Sequence, residues 1–181
     1  MNITDGPLAG IKIIEPRVFS DNRGYFYESY QDKRYLDAGI PPLVQDNVSR
    51  SQKNCLRGLH YQLPNSQGKL VWVIRGKVWD VMVDIRQSSP TFKKWFAMEL
   101  SDEKPTQIYI PPGFAHGFCV LSDEADFCYK CTDYYAPHSE HGIIWNDSEI
   151  GIEWPVKNPE LSDKDREYPT LSEINHVNLF A

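Results

Sequence analysis

Alternation of apolar and polar positions is the dominant pattern along the chain, and it predicts strands. Runs of period two, in which successive side chains face opposite sides, occur at 11–14, 24–30, 44–48, 70–74, 78–85, 94–99, 106–110, 115–120, 125–132 and 142–145. Only one stretch, 32–38, carries a helix signal, with Asp32 placed to cap its start and Gly39 to close its end. Arg75-Gly76-Lys77 lies between two strongly apolar strands and predicts a hairpin at the centre of the sheet. Many short strands with Pro and Gly at the junctions, and no alternation of strand with helix, predict an all-β sandwich or jelly roll with few short helices.

Composition narrows this picture. With 181 residues, 41% hydrophobic, the chain suits a single domain spanning 1–181, with its core at about 11–155. The aromatic share, 13%, favours strands and stacking surfaces. A net charge of -6 and no Lys/Arg stripe argue against a nucleic-acid partner. The start lacks the features of a signal peptide, and no apolar run approaches the ~18 residues of a membrane span, so the protein is expected in the cytoplasm, away from membranes. Cys128 and Cys131 form a CxxC, but residues three apart on a strand point to opposite faces, which argues against a metal or redox role.

Candidate chemistry begins in the segment 57–62, RGLHYQ, where alternation puts His60 and Gln62 on one face and Leu59 and Tyr61 on the other. A lone histidine is more often a satisfied structural residue. A second, His116, lies in PPGFAHGF at 111–118, which fits the second metal motif of the cupins, PxGxxH. The first cupin motif needs two histidines and a glutamate; here stand His60-Tyr61-Gln62 and then Lys69, whose ammonium would repel a cation. The scaffold reads as cupin-like with its metal site dismantled, and a histidine, a lysine and tyrosines left in one cavity suit proton abstraction beside a ketone.

Six motifs in order, RGLHYQ at 57–62, QGKLV at 67–71, VDIRQSSPTF at 83–92, PPGFAHGF at 111–118, YKCTDYYAP at 129–137 and GIIWND at 142–147, resemble the dTDP-4-dehydrorhamnose 3,5-epimerase family, over about residues 11–168. The resemblance implies a homodimeric jelly roll that inverts C3 and C5 of dTDP-4-dehydro-6-deoxyglucose, without metal or organic cofactor. It also implies that the segment 156–181 packs back near the active site. Carried over by position, His60 is the base, Asp165 its carboxylate partner, Tyr129 the acid and Lys69 the cation that steadies the enolate. Arg23, Glu28, Gln45, Asn47, Arg57, His116, Glu140 and Lys164 are the implied substrate contacts, and Tyr135 the platform for thymine. Taken singly these residues have plainer readings: Ser162-x-x-Asp165 resembles a helix capping box, Tyr129 a core aromatic, and Glu28 and Glu140 solvated surface. Cys131, Trp72 and Trp79 depart from the family pattern.

Competing readings are a sister enzyme inverting only C3 or only C5, an isomerase moving the keto group between C3 and C4, a metal-dependent cupin enzyme, and a non-catalytic sugar-nucleotide binding module. The last would tolerate loss of His60 or Tyr129.

Overall fold

The computed structural model describes residues 1–181. Its strands are β1 (Asn2–Asp5), β2 (Lys12–Glu15), β3 (Val18–Asp21), β4 (Gly24–Tyr27), β5 (Gln45–Gln52), β6 (Leu56–Gln62), β7 (Lys69–Arg75), β8 (Lys77–Asp84), β9 (Trp95–Ser101), β10 (Gln107–Ile110), β11 (Phe114–Val120), β12 (Glu124–Cys131) and β13 (Glu140–Gly142). Two short helices, α1 (Asp32–Asp37) and α2 (Asp163–Glu167), accompany them. A six-stranded sheet in the order β1-β2-β10-β7-β12-β5 packs against a five-stranded sheet, β13-β6-β11-β8-β9, while β3 and β4 form a separate hairpin. This is the expected jelly-roll sandwich. No helix is long and apolar enough to cross a membrane.

Alternation sorts the side chains into layers. From β7 and β12, Val71, Val73, Ala125 and Phe127 point into the space between the sheets, where they meet Val78 and Met82 of β8 and Phe114, Phe118 and Val120 of β11. On the outer face of the five-stranded sheet, Leu59, Tyr61, Val81, Val83 and Ala115 are covered by Ile150, Leu171 and Leu179 of the C-terminal segment. On the outer face of the other sheet, Ile14, Leu70, Trp72, Tyr109 and Cys128 are covered by Tyr35 and Ile40, on and just after α1. Full burial of such a side chain contributes roughly 1.5–3 kcal/mol, so both outer layers stabilise as well as shield the sandwich.

Three expectations are corrected. Arg75-Gly76-Lys77 does not close a hairpin: β7 lies in the six-stranded sheet and β8 in the five-stranded one, so the chain crosses between sheets there. Gly76 makes the corner at φ +76°, where an added Cβ would lie 2.1 Å from the Glu124 carbonyl oxygen. Both strands are nevertheless interior to their own sheets. The cap of α1 is Gln31, whose side chain accepts from the Arg34 N–H, and Asp32 sits in the first turn; Gly39, at φ +80°, closes the helix as expected. Strands β1 and β3 were not anticipated, because Asn2–Asp5 and Val18–Asp21 are short, and mostly or wholly exposed edge or hairpin segments without a clear alternation.

Candidate active site

At one end of the sandwich, side chains from both sheets converge on a cavity of about 250 Å³ lined by Gln45, Asn47, His60, Tyr61, Gln62, Gln67, Lys69, Tyr129, Cys131, Tyr135 and Glu140. A second space of about 170 Å³ continues between the sheets, sharing His60, Lys69 and Tyr129 and adding Ser49, Arg57, His116, Phe118 and Phe127. The strand pattern explains the convergence. His60 is on β6 of the five-stranded sheet, and Lys69 and Tyr129 are on β7 and β12 of the other, each on the inward face of its strand.

His60 Nε2 lies 2.6 Å from Asp165 Oδ1, a contact between residues 105 apart in sequence. Asp165 is 4% exposed. Its other oxygen accepts from Ser162 Oγ at 2.6 Å, and Ser162 Oγ in turn accepts from the Asp165 N–H at 3.1 Å. One aspartate therefore belongs both to the cap of α2 and to the histidine. Burial works to raise its carboxyl, but the hydrogen bonds from His60 and Ser162 outweigh that and hold it below the ordinary carboxylate value. With Nε2 engaged, Nδ1 is the His60 nitrogen left free. Behind the imidazole stands Tyr168, edge-on at 5.5 Å between ring centroids. Its ring fills the space above Gly142, where an added Cβ would come within 2.4 Å of it.

Tyr129 is held above the ordinary phenol value, mainly by burial, so it is protonated at neutral pH. Lys69 is shifted down by burial, partly offset by Cys131, Glu140 and Asp80. At the cavity mouth the polar residues are tied together: Gln45 Nε2 donates to Asn47 Oδ1 at 3.1 Å, and Gln45 Oε1 accepts from the Tyr135 N–H at 2.8 Å. Tyr135 O–H donates to Glu140 at 2.6 Å, and Lys164 pairs with the same carboxylate at 2.7 Å. Tyr135 itself is half exposed, its ring available to a ligand.

Two predicted contacts are not brought here. Arg23 pairs with Asp21 on the β3–β4 hairpin at 2.6 Å, and Glu28 pairs with Arg34 at 2.7 Å, both outside these cavities. Of the departures from the family pattern, Trp72 faces α1 and Trp79 packs edge-on against Trp95 and Trp154 on the outer side, so neither shapes the cavity. Cys131 does line it, while Cys128 points the other way. No three His, Cys, Asp or Glu side chains cluster so as to hold a metal ion.

Sequence reasoning put Gln62 on the face of His60 without giving it a role, and it assigned none to Gln67 or Asp80. Gln62 accepts from the Ala136 N–H at 3.0 Å and donates to Asn65 O at 2.7 Å, and Gln67 donates to Asp133 O at 2.8 Å, so both fix the loop that carries Tyr135. A signal existed for Asp80, a carboxylate in phase with Val78 and Met82 on an apolar strand face.

The family model described as dTDP-4-dehydrorhamnose 3,5-epimerase matches residues 5–173. The chain is 55% identical over 168 residues to the dTDP-4-dehydrorhamnose 3,5-epimerase of Shigella flexneri, covering 91% of this chain and 93% of that one. It superimposes with a TM-score of 0.96, at 52% identity, on the 3,5-epimerase of Legionella pneumophila in complex with dTDP-4-keto-L-rhamnose, covering 99% and 97% of the two chains. A dTDP-4-dehydrorhamnose 3-epimerase of Streptomyces niveus is 38% identical, covering 95% and 84%.

Proposed function

The chain belongs to the dTDP-4-dehydrorhamnose 3,5-epimerase family, and from that membership we propose that His60 and Tyr129 invert C3 and C5 of dTDP-4-dehydro-6-deoxyglucose. The observation that carries this reading is a histidine from one sheet and a protonated tyrosine from the other on a single cavity. Inversion requires proton removal from one face of the sugar and return from the other. His60 Nδ1 takes the proton beside the C4 ketone, and the electron pair moves onto the ketone oxygen as an enolate. Lys69 steadies that oxygen with its positive charge. Tyr129 O–H then delivers a proton to the opposite face, and solvent restores both groups. Asp165 holds the imidazole in place and balances its charge once protonated.

Gln45, Asn47, Glu140 and Lys164 hold the nucleotide at the cavity mouth, with the Tyr135 ring as a flat apolar face for the base. Arg57 and His116 contact the sugar and phosphates from the deeper space. Arg23 and Glu28 join the site from a second copy of the chain. Support for this comes from the β3–β4 hairpin that carries Arg23 and leads into Glu28: Phe19, Tyr25 and Phe26 are 51%, 60% and 68% exposed. A monomer rarely leaves such a patch uncovered. A homodimer that laid this hairpin on its neighbour would cover the patch and reunite the predicted contacts. We read the chain as one folding unit, since the segment after α2 packs into the outer layer of the five-stranded sheet. Four free cysteines fit the reducing cytoplasm.

The test is incubation with dTDP-4-dehydro-6-deoxyglucose in heavy water, locating deuterium and configuration by NMR. Deuterium and inversion at both C3 and C5 are expected. Inversion at one carbon alone would assign the chain to the single-site sister enzymes, and no exchange at all would refute the reading.

A further inference from the structure

A charged group stands between the sheets where the strand pattern calls for an apolar one. Asp80 shares its face of β8 with Val78 and Met82, members of the inter-sheet core, and is fully buried. A buried carboxylate is costly unless it is compensated. One oxygen has a partner: Asp80 Oδ1 lies 2.7 Å from Nε2 of buried His116, whose ring stacks on Phe127 at 6.0 Å between centroids. The other, Oδ2, has no hydrogen-bond partner. Burial holds the Asp80 carboxyl above the ordinary carboxylate value, an effect that His116 and then Lys69 offset only in part. His116 and Lys69 both line the deeper cavity, together with His60, Arg57 and Tyr129. Core packing alone does not account for this aspartate, since an apolar residue would fill the place without the desolvation cost.

We propose that Asp80 is a positioning residue: by accepting the Nε2 proton of His116 it turns Nδ1 toward the cavity, and its charge allows His116 and Lys69 to donate together to the enolate oxygen. This rests on the epimerase reading above. It makes the inner end of the cavity a two-donor oxyanion site with its own counter-charge, separate from the His60–Asp165 pair that moves the proton.

Asp80→Asn keeps an acceptor for Nε2 and removes the charge. Its kcat should fall at least about tenfold with KM and dTDP binding nearly unchanged, because the enolate forms only after binding. The double variant Asp80→Asn/His116→Gln should lose less than the product of the two single losses, since Asp80 acts in part through His116. Losses that multiply in the double variant, or a kcat near wild type for Asp80→Asn, overturn the proposal. A second measurement needs no variant of Asp80 and no substrate. In ¹⁵N-histidine-labelled wild-type protein, with His116 assigned by its disappearance in His116→Gln, Nε2 should be the protonated nitrogen, and a bare Nε2 overturns the proposal. Absence of turnover by wild type would refute the epimerase reading and leave that NMR result standing.

Discussion

Replacing Asp165 with asparagine removes one negative charge and almost no volume. The carboxylate accepts from His60 and Ser162, both at 2.6 Å, and from the Gly58 N–H at 3.4 Å. A carboxamide oxygen still accepts from His60, so the cap of α2 and the imidazole orientation are retained. What is lost is the charge that, in the proposed mechanism, faces the imidazolium formed when His60 takes the substrate proton. A hydrogen bond to a charged group contributes about 1.5–3 kcal/mol, and at roughly 1.4 kcal/mol per factor of ten the expected loss in kcat is about tenfold to a hundredfold. Nucleotide binding does not use that charge and should be unchanged. The assay is the initial rate of deuterium incorporation at C3 and C5, alongside thermal unfolding and calorimetric binding of dTDP. A folded Asp165→Asn protein that binds dTDP and turns over within about twofold of wild type would refute the argument that this carboxylate stabilises protonated His60.

Tyr129→Phe should lower net epimerisation by about 10²- to 10⁴-fold, the usual range for losing a general acid, with dTDP affinity preserved; intact turnover would remove Tyr129 from the mechanism. Gly142→Ala drives a methyl into the Tyr168 ring. Overpacking of this kind costs typically 1–3 kcal/mol, so a lowered Tm and reduced activity are expected, and an unchanged Tm would mean that the ring is free to move. Phe26→Asp should shift the mass measured by light scattering toward the 20.9 kDa monomer, and a mass equal to wild type would place the self-association surface elsewhere. Burial works to raise Asp84, but hydrogen bonds from Arg86, Ser89 and Thr91 overcome it and hold the carboxyl down to about 2. A carboxyl depressed in the folded state stabilises above its unfolded value, near 3.9, and that contribution is lost as pH falls toward about 2. Wild type should therefore lose Tm across this acid window more steeply than Asp84→Asn; parallel curves would contradict the assignment.

Local pattern was enough to read which way side chains face. The alternation of RGLHYQ sets His60 and Gln62 toward the cavity and packs Leu59 and Tyr61 in the outer layer, Tyr61 also bordering the cavity, because a pleated backbone sends successive side chains to opposite faces whatever its partners. The same rule separates Cys128 from Cys131. The six spaced motifs carried the family. Which strands pair was another matter: the apolar runs on either side of Gly76 look alike as hairpin arms and as strands of two sheets, and only contacts with β10 and β12 on one side and β9 and β11 on the other decide between them. The distant partnerships belong to the tertiary structure as well. Asp165 meets His60 across 105 residues and Asp80 meets His116 across 36, and as local sequence each aspartate reads only as a helix cap or an oddity in a strand. Facing is a property of the backbone that every short segment carries with it. Pairing is a property of the packed whole, set by which apolar faces bury one another and which buried charges find compensation.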